Sequence, residues 1–195
     1  MSEIRQNLLE EERFLVKKTI VMVGMMGAGK TAVGRAMAAR LDVPFLDSDA
    51  EIEAAARSTV PEIFARDGEP FFRAKETQVI SRLLHEKCGI LSTGGGAFLA
   101  DVNRKNISKH GVSVWLNADL DLLWQRVRHK ETRPLLHTPN PRATLAEIFA
   151  ERVPLYALAD VAVVSLPELS IEEMVDRVIA TLLAERPDVL EQIDA

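Results

Sequence analysis

The chain has 195 residues, 47% of them apolar and 27% charged, with a formal net charge of −5. That length suits one domain with a single core, and the acidic balance argues against non-specific nucleic-acid binding as the main activity. One cysteine, Cys88, excludes an intramolecular disulfide and a cysteine cluster for zinc.

Cys88 itself reads as a small buried residue opening a strand. No apolar run approaches the ~18 residues of a membrane span. Glu10-Glu11-Glu12 stands where a signal peptide would need apolar side chains, so a cytoplasmic location is expected. Residues 1–18 read as an N-terminal extension, a frayed helix with Leu8, Leu9, Leu15 and Val16 partly covered.

Thr19 to Val23 is an apolar, β-branched run that predicts the first strand. Gly24-Met25-Met26-Gly27-Ala28-Gly29-Lys30-Thr31 follows and fits the phosphate-loop pattern G-x-x-x-x-G-K-[ST]. Val33, Met37 and Leu41 then recur at helical spacing. Strand, glycine turn and helix together make a phosphate site rather than an accidental string. The backbone N–H groups of Gly27, Ala28, Gly29, Lys30, Thr31 and Ala32 face a nucleotide's phosphates at a helix N-terminus. Lys30 supplies a point charge to the β- and γ-phosphates, and the Thr31 hydroxyl is a ligand for Mg²⁺.

Val43 to Leu46 is a second short strand, ending in Asp47-Ser48-Asp49. Acidic residues past the C-terminal end of a strand lie at the edge where parallel sheets bind ligands. Asp49 is also placed to cap the helix from Ala50 to Arg57. Thr59-Val60-Pro61-Glu62 is a capping signature for a helix ending near Gly68. Another helix runs from Glu69 to about Lys87. Arg73 sits in its first turn, where a cation opposes the helix dipole; it marks function or a solvated arginine.

Cys88 to Ser92 predicts the third strand, running into Thr93-Gly94-Gly95-Gly96. Three glycines at a strand end allow close backbone approach to a ligand, or a flexible turn. This strand lacks the terminal aspartate that holds Mg²⁺ in many phosphate-loop enzymes, so Asp47 becomes the better carboxylate for that role. Val112 to Leu116 is the fourth strand. The next helix places Trp124 on its apolar face, as core. A basic, proline-rich stretch from Arg128 to Arg142 reads as a functional loop, a lid over phosphates, or a solvated turn. Thr144 to Glu147 reads as a capping box opening a helix that Pro154 interrupts. Val161 to Val164 is the fifth strand, Ser170 caps the last helix, and the tail after Pro187 reads as loose. His85, His110, His129 and His137 show no metal-ligand spacing. The alternation predicts an α/β fold, a phosphate-loop three-layer sandwich with about five parallel strands between helices.

The whole set resembles shikimate kinase over nearly all of residues 19–183. The phosphate loop, Asp47-Ser48-Asp49, Phe72-Arg73 with Glu76, Gly94-Gly95-Gly96, Arg133-Pro134-Leu135-Leu136 and Arg152-Val153-Pro154-Leu155-Tyr156 occur in the family's order. The resemblance implies strand order 2-3-1-4-5 and one kinase domain, 19–183. Within it, an acceptor region spans about 49–77 and a mobile lid about 128–142; residues 184–195 form a tail. It implies ATP-dependent phosphorylation of the shikimate 3-hydroxyl, giving shikimate 3-phosphate and ADP on the route to aromatic amino acids. Arg73, Arg152 and Gly94 to Gly96 would bind the acceptor, whose carboxylate suits planar guanidinium forks. Asp49 would position, or deprotonate, the attacking hydroxyl. Asp47 would orient water on Mg²⁺. Lys30 and Arg133 would neutralise the transferring phosphoryl, and Arg126 would stack beside the adenine. The implied partners are shikimate and ATP, with neither nucleic acid nor membrane, for a monomer. A gluconate or nucleoside-monophosphate kinase shares fold and phosphate loop but does not account for the remaining motifs together. A guanine-nucleotide switch would want N-K-x-D, which Asn117-Ala118-Asp119 lacks.

Overall fold

A computed structural model of the chain describes residues 13–86, 88–129 and 134–193. Strand β1 (Arg13–Val16) leads into β2 (Thr19–Val23), in which every residue is buried. A strand covered on both faces has no reason to alternate, and β2 does not. Helix α1 (Lys30–Arg40) follows the glycine turn, then β3 (Phe45–Asp47), α2 (Ser48–Ala56), α3 (Val60–Asp67) and α4 (Glu69–Glu86). Next come β4 (Ile90–Ser92), α5 (Asp101–His110), β5 (Gly111–Ala118), α6 (Leu120–Val127), α7 (Pro141–Tyr156), β6 (Val161–Ser165), α8 (Ile171–Glu185) and β7 (Leu190–Ile193).

The central sheet is parallel, in the order β3-β4-β2-β5-β6. Counted from β2, that is the expected 2-3-1-4-5. Helix α1 lies on β3 and β4 and against α8; α5 packs on β5 and beside α4. Gly34 lets α1 sit close, since a Cβ there would come 3.0 Å from the Phe45 ring. All five strands run the same way, so their C-terminal ends share one edge, and the phosphate loop, Asp47 and Ser92 meet there.

Several local expectations are corrected. Residues 13–16 form a strand rather than part of a frayed helix, and the tail after Pro187 is not loose: β1 and β7 pair antiparallel. Val189 and Leu190, at the start of β7, are buried, and the Lys17 N–H donates to the Val189 carbonyl at 2.8 Å. Cys88 is exposed and precedes its strand. Asp47, not Asp49, caps α2, accepting from the N–H groups of Asp49 and Ala50. Helix α7 starts at Pro141, capped by the Asn140 side chain, rather than at the Thr144 box. Pro154 does not end α7, because the next turn closes through Ala157 N–H to the Val153 carbonyl at 2.9 Å. Trp124 is partly buried against the core. His85 and His110, distant in sequence, meet with ring centroids 4.2 Å apart. Among the described residues no helix is long and apolar enough to cross a membrane.

Candidate active site

The phosphate loop turns off the end of β2 into α1. Gly29 takes the cap position with φ 95°, a left-handed conformation that glycine adopts without a Cβ penalty. The Lys30 ammonium folds over the loop and donates to the carbonyls of Gly24 at 2.8 Å and Met25 at 3.1 Å. The Thr31 hydroxyl lies 3.4 Å from the Ser92 hydroxyl. Asp47 pairs in register with Ser92, at the same sheet edge. Two hydroxyls and a carboxylate are the hard oxygen donors that suit Mg²⁺. Among the described residues no three His, Cys, Asp or Glu side chains are grouped to hold a metal. An ion here would lean on few protein ligands and on phosphate oxygens, as Mg²⁺ commonly does.

A cavity of about 500 Å³ opens over this edge, lined by Gly27 to Val33, Asp47, Asp49, Thr93 to Gly95 and Arg126, with Ser165 to one side. Arg126 reaches the Gly27 carbonyl at 3.3 Å and the Ser165 hydroxyl at 3.5 Å. Burial pushes its guanidinium pKa down.

Asp49 faces the glycine turn. A Cβ on Gly94 would come 2.8 Å from Asp49 Oδ1 and 3.2 Å from Glu76 Oε1. Both oxygens are buried with no hydrogen-bond partner among the described residues. Burial pushes the Asp49 carboxyl up, reinforced by Asp47 and opposed by Lys30 and Arg73. Burial raises Glu76 as well, against the pull of Arg73.

Arg73 is gripped from several sides. Its guanidinium donates to Glu76 at 2.8 Å and to Glu69 at 3.2 Å, and lies 5.3 Å from the Phe72 ring centroid. Burial disfavours its charge, but Glu76 and Glu69 more than offset that, and the pKa is raised. These partners explain a cation in the first turn of α4, and the side chain is not simply solvated. A Cβ on Gly96 would fall on this guanidinium, so only glycine admits it there. On the preceding residue a Cβ of Gly95 would meet Arg152 Nη1 at 3.7 Å. Two guanidinium groups therefore stand against Gly95 and Gly96, while Asp49 stands against Gly94.

Of the residues singled out in the sequence, the fold brings together Gly27 to Ala32, Asp47, Asp49, Arg73, Gly94 to Gly96, Arg126 and Arg152. Arg133 lies outside the described residues. Three contributors had no role assigned from the sequence. Ser48 is fully buried and accepts from the Gly94 N–H at 3.3 Å. Glu76 was visible only as a motif letter. Tyr156 closes the R-x-P-L-Y string, and its hydroxyl reaches the Gly95 carbonyl.

A phosphate loop, hard oxygen donors beside it and two guanidinium groups at the adjoining glycine turn define a phosphate-loop phosphotransferase with a small-molecule acceptor. The family model described as "Shikimate kinase" matches residues 26–183. The shikimate kinase of Ruegeria pomeroyi is 64% identical, over 98% of this chain and 99% of its own. The solved structure of shikimate kinase from Acinetobacter baumannii in complex with shikimate superposes with a TM-score of 0.81. It is 36% identical, over 87% of this chain and 94% of that one. A gluconokinase from Sinorhizobium meliloti 1021, at 18% identity and a TM-score of 0.54 over 87% of this chain and 93% of its own, shares the fold alone. The chain belongs to the shikimate kinase family, whose members are phosphotransferases with an alcohol group as acceptor.

Proposed function

We propose that this chain transfers the γ-phosphoryl group of ATP to the 3-hydroxyl of shikimate. The observation that carries the reading is the pair of guanidinium groups, Arg152 at Gly95 and Arg73 at Gly96, on the turn whose Gly94 adjoins Asp49, itself within reach of the Lys30 charge. Such forks hold a ring carboxylate and leave the ring hydroxyls toward Asp49. Asp49, with its charge disfavoured by burial, accepts a hydrogen bond from the attacking hydroxyl and is poised to take its proton. Lys30 moves its charge from the loop carbonyls onto the transferring phosphoryl, joined by Arg133. Gly27 to Ala32 cradle the phosphates, and Arg126 lies beside the nucleotide base. Mg²⁺ held at Thr31 and Asp47 would neutralise charge between the β- and γ-phosphates. The catalytic unit is residues 19–183, with the acceptor region at about 49–77 and a lid at about 128–142. It works as a cytoplasmic monomer without nucleic-acid or membrane partners.

A coupled ADP-release assay run with shikimate, gluconate and nucleoside monophosphates tests this. Turnover with shikimate and not with the others is expected. Turnover with gluconate alone overturns the acceptor assignment, and binding of GTP without any turnover points to a switch.

Gly96→Ala gives a finer test. The added methyl meets the far end of a flexible side chain, so the fold accommodates it by moving Arg73 off the turn. The shikimate KM is expected to rise by roughly tenfold or more, the loss of a charged hydrogen bond of about 1.5–3 kcal/mol. The ATP KM should stay within about twofold. An unchanged shikimate KM would remove Arg73 from the acceptor site.

A further inference from the structure

Tyr156 is wholly buried, with its ring 6.4 Å from Phe98 and 6.3 Å from Trp115 between centroids. Phenylalanine would fill that apolar slot as well. The hydroxyl therefore needs its own explanation. It donates to the Gly95 carbonyl, and Arg152 Nη1 stands at the same glycine, where an added Cβ would lie 3.7 Å from it and 3.9 Å from the Tyr156 hydroxyl. Burial pushes the phenol pKa up, which keeps the proton that this bond needs. Arg152 and Tyr156 stand four residues apart, on one face of α7. The ends of the glycine turn are held separately. Ser48 accepts from Gly94 N–H, Asn103 Nδ2 donates to the Ala97 carbonyl at 2.8 Å, and Arg104 donates to the carbonyls of Phe98 and Leu99. The middle of three glycines, the most pliant backbone available, is held by Tyr156.

We propose that Tyr156 is a positioning residue for the acceptor: its hydroxyl pins the middle of the Gly94–Gly96 turn where the Arg152 guanidinium stands against it, so that turn and guanidinium are set before the acceptor carboxylate arrives. The inference rests on Arg152 as a carboxylate clamp. Such pre-organisation lowers the ordering cost of binding.

Tyr156→Phe removes one oxygen. In the full-length enzyme it is expected to raise the shikimate KM roughly fivefold to tenfold, the scale of one lost hydrogen bond. The ATP KM and kcat should stay within about twofold. In an Arg152→Ala background the same change should add less than about twofold, because coupled residues do not add. Tyr156 is the single tyrosine of the chain. Fluorotyrosine incorporation therefore places one ¹⁹F probe on this ring, and its resonance should shift when shikimate is added but not with the cyclohexene triol lacking the carboxylate. A lowered Tm with an unchanged shikimate KM, a full additional loss in the Arg152→Ala background, or a silent ¹⁹F probe at saturating shikimate would overturn the proposal. If Arg152→Ala itself leaves the shikimate KM unchanged, the clamp fails and the bridge with it. A large Arg152→Ala effect beside a silent Tyr156→Phe overturns the bridge alone.

Discussion

Lys30→Met is expected to lower kcat at saturating ATP and shikimate by roughly 10²–10³ or more, the scale for removing one preorganised group from the developing transition-state charge. Phosphoryl transfer leaves little covalent work to the protein, so positioning and charge carry the barrier. Lys30 sits at the start of α1, with its ammonium already inside the loop on the Gly24 and Met25 carbonyls. It has a short path from those carbonyls to a phosphate in the adjoining cavity. Methionine keeps the stem and removes the charge, so the cavity wall stays while the electrostatics go. The two carbonyls lose a donor, which costs stability on the order of 1 kcal/mol per bond. That lowers Tm by a few degrees and cannot account for a hundredfold loss in rate. Shikimate binding, measured by tryptophan fluorescence or calorimetry without nucleotide, should survive, because Arg73, Arg152 and the glycine turn lie on other elements. Turnover within tenfold of the parent enzyme would remove Lys30 from the phosphoryl-transfer step.

The donor half of the site was legible because its chemistry is written locally. A strand, a glycine turn and a helix within one unit specify Lys30 and Thr31 by spacing alone. The acceptor half was legible as a set of residues but not as an arrangement. Asp47 and Asp49 are two apart, and either suits a cap. The structure gives the cap to Asp47 and turns Asp49 toward the cavity, a choice fixed by where β3 ends. Tyr156 was legible only as the last letter of the R-x-P-L-Y string, because its partner carbonyl is 61 positions away. The β1–β7 ribbon was illegible for the same reason. Four-residue strands carry too little alternation to register, and their pairing spans the whole chain. Capping showed both outcomes. Thr59 and Ser170 have their boxes where the pattern says, whereas Thr144 loses to Asn140 because Pro141 is pre-set for the first helical position.

Asp49→Asn is expected to separate activity from stability, moving them in opposite directions. As a group that takes or orients the proton of the attacking hydroxyl, Asp49 should contribute roughly 10²–10⁴-fold to kcat. Asparagine keeps the size and loses the charge and basicity, so kcat should fall by about that amount while ATP affinity holds. Stability should not fall with it. Asp49 has a folded-state pKa raised by burial and by Asp47. Between the ordinary carboxylate pKa and that raised value, the folded state holds the proton that the unfolded state has lost, so this group lowers stability as pH rises through the window. At neutral pH the wild-type carboxylate therefore weakens the fold, and the uncharged amide relieves it. The amide also brings a donor to a place where, among the described residues, Asp49 Oδ1 and Glu76 Oε1 are both buried without one. Tm of Asp49→Asn at pH 7 is expected to equal or exceed that of the parent, with the difference shrinking as pH falls through the raised pKa of Asp49. The parent enzyme should lose kcat on the acid side at a higher pH than an ordinary carboxylate would dictate. The variant's residual rate should lack that limb. A variant with near-normal kcat and weakened ATP binding would move Asp49 from the acceptor hydroxyl to the metal. A variant with a strongly lowered Tm would show that its charge is stabilised in the fold, against the direction that its burial sets.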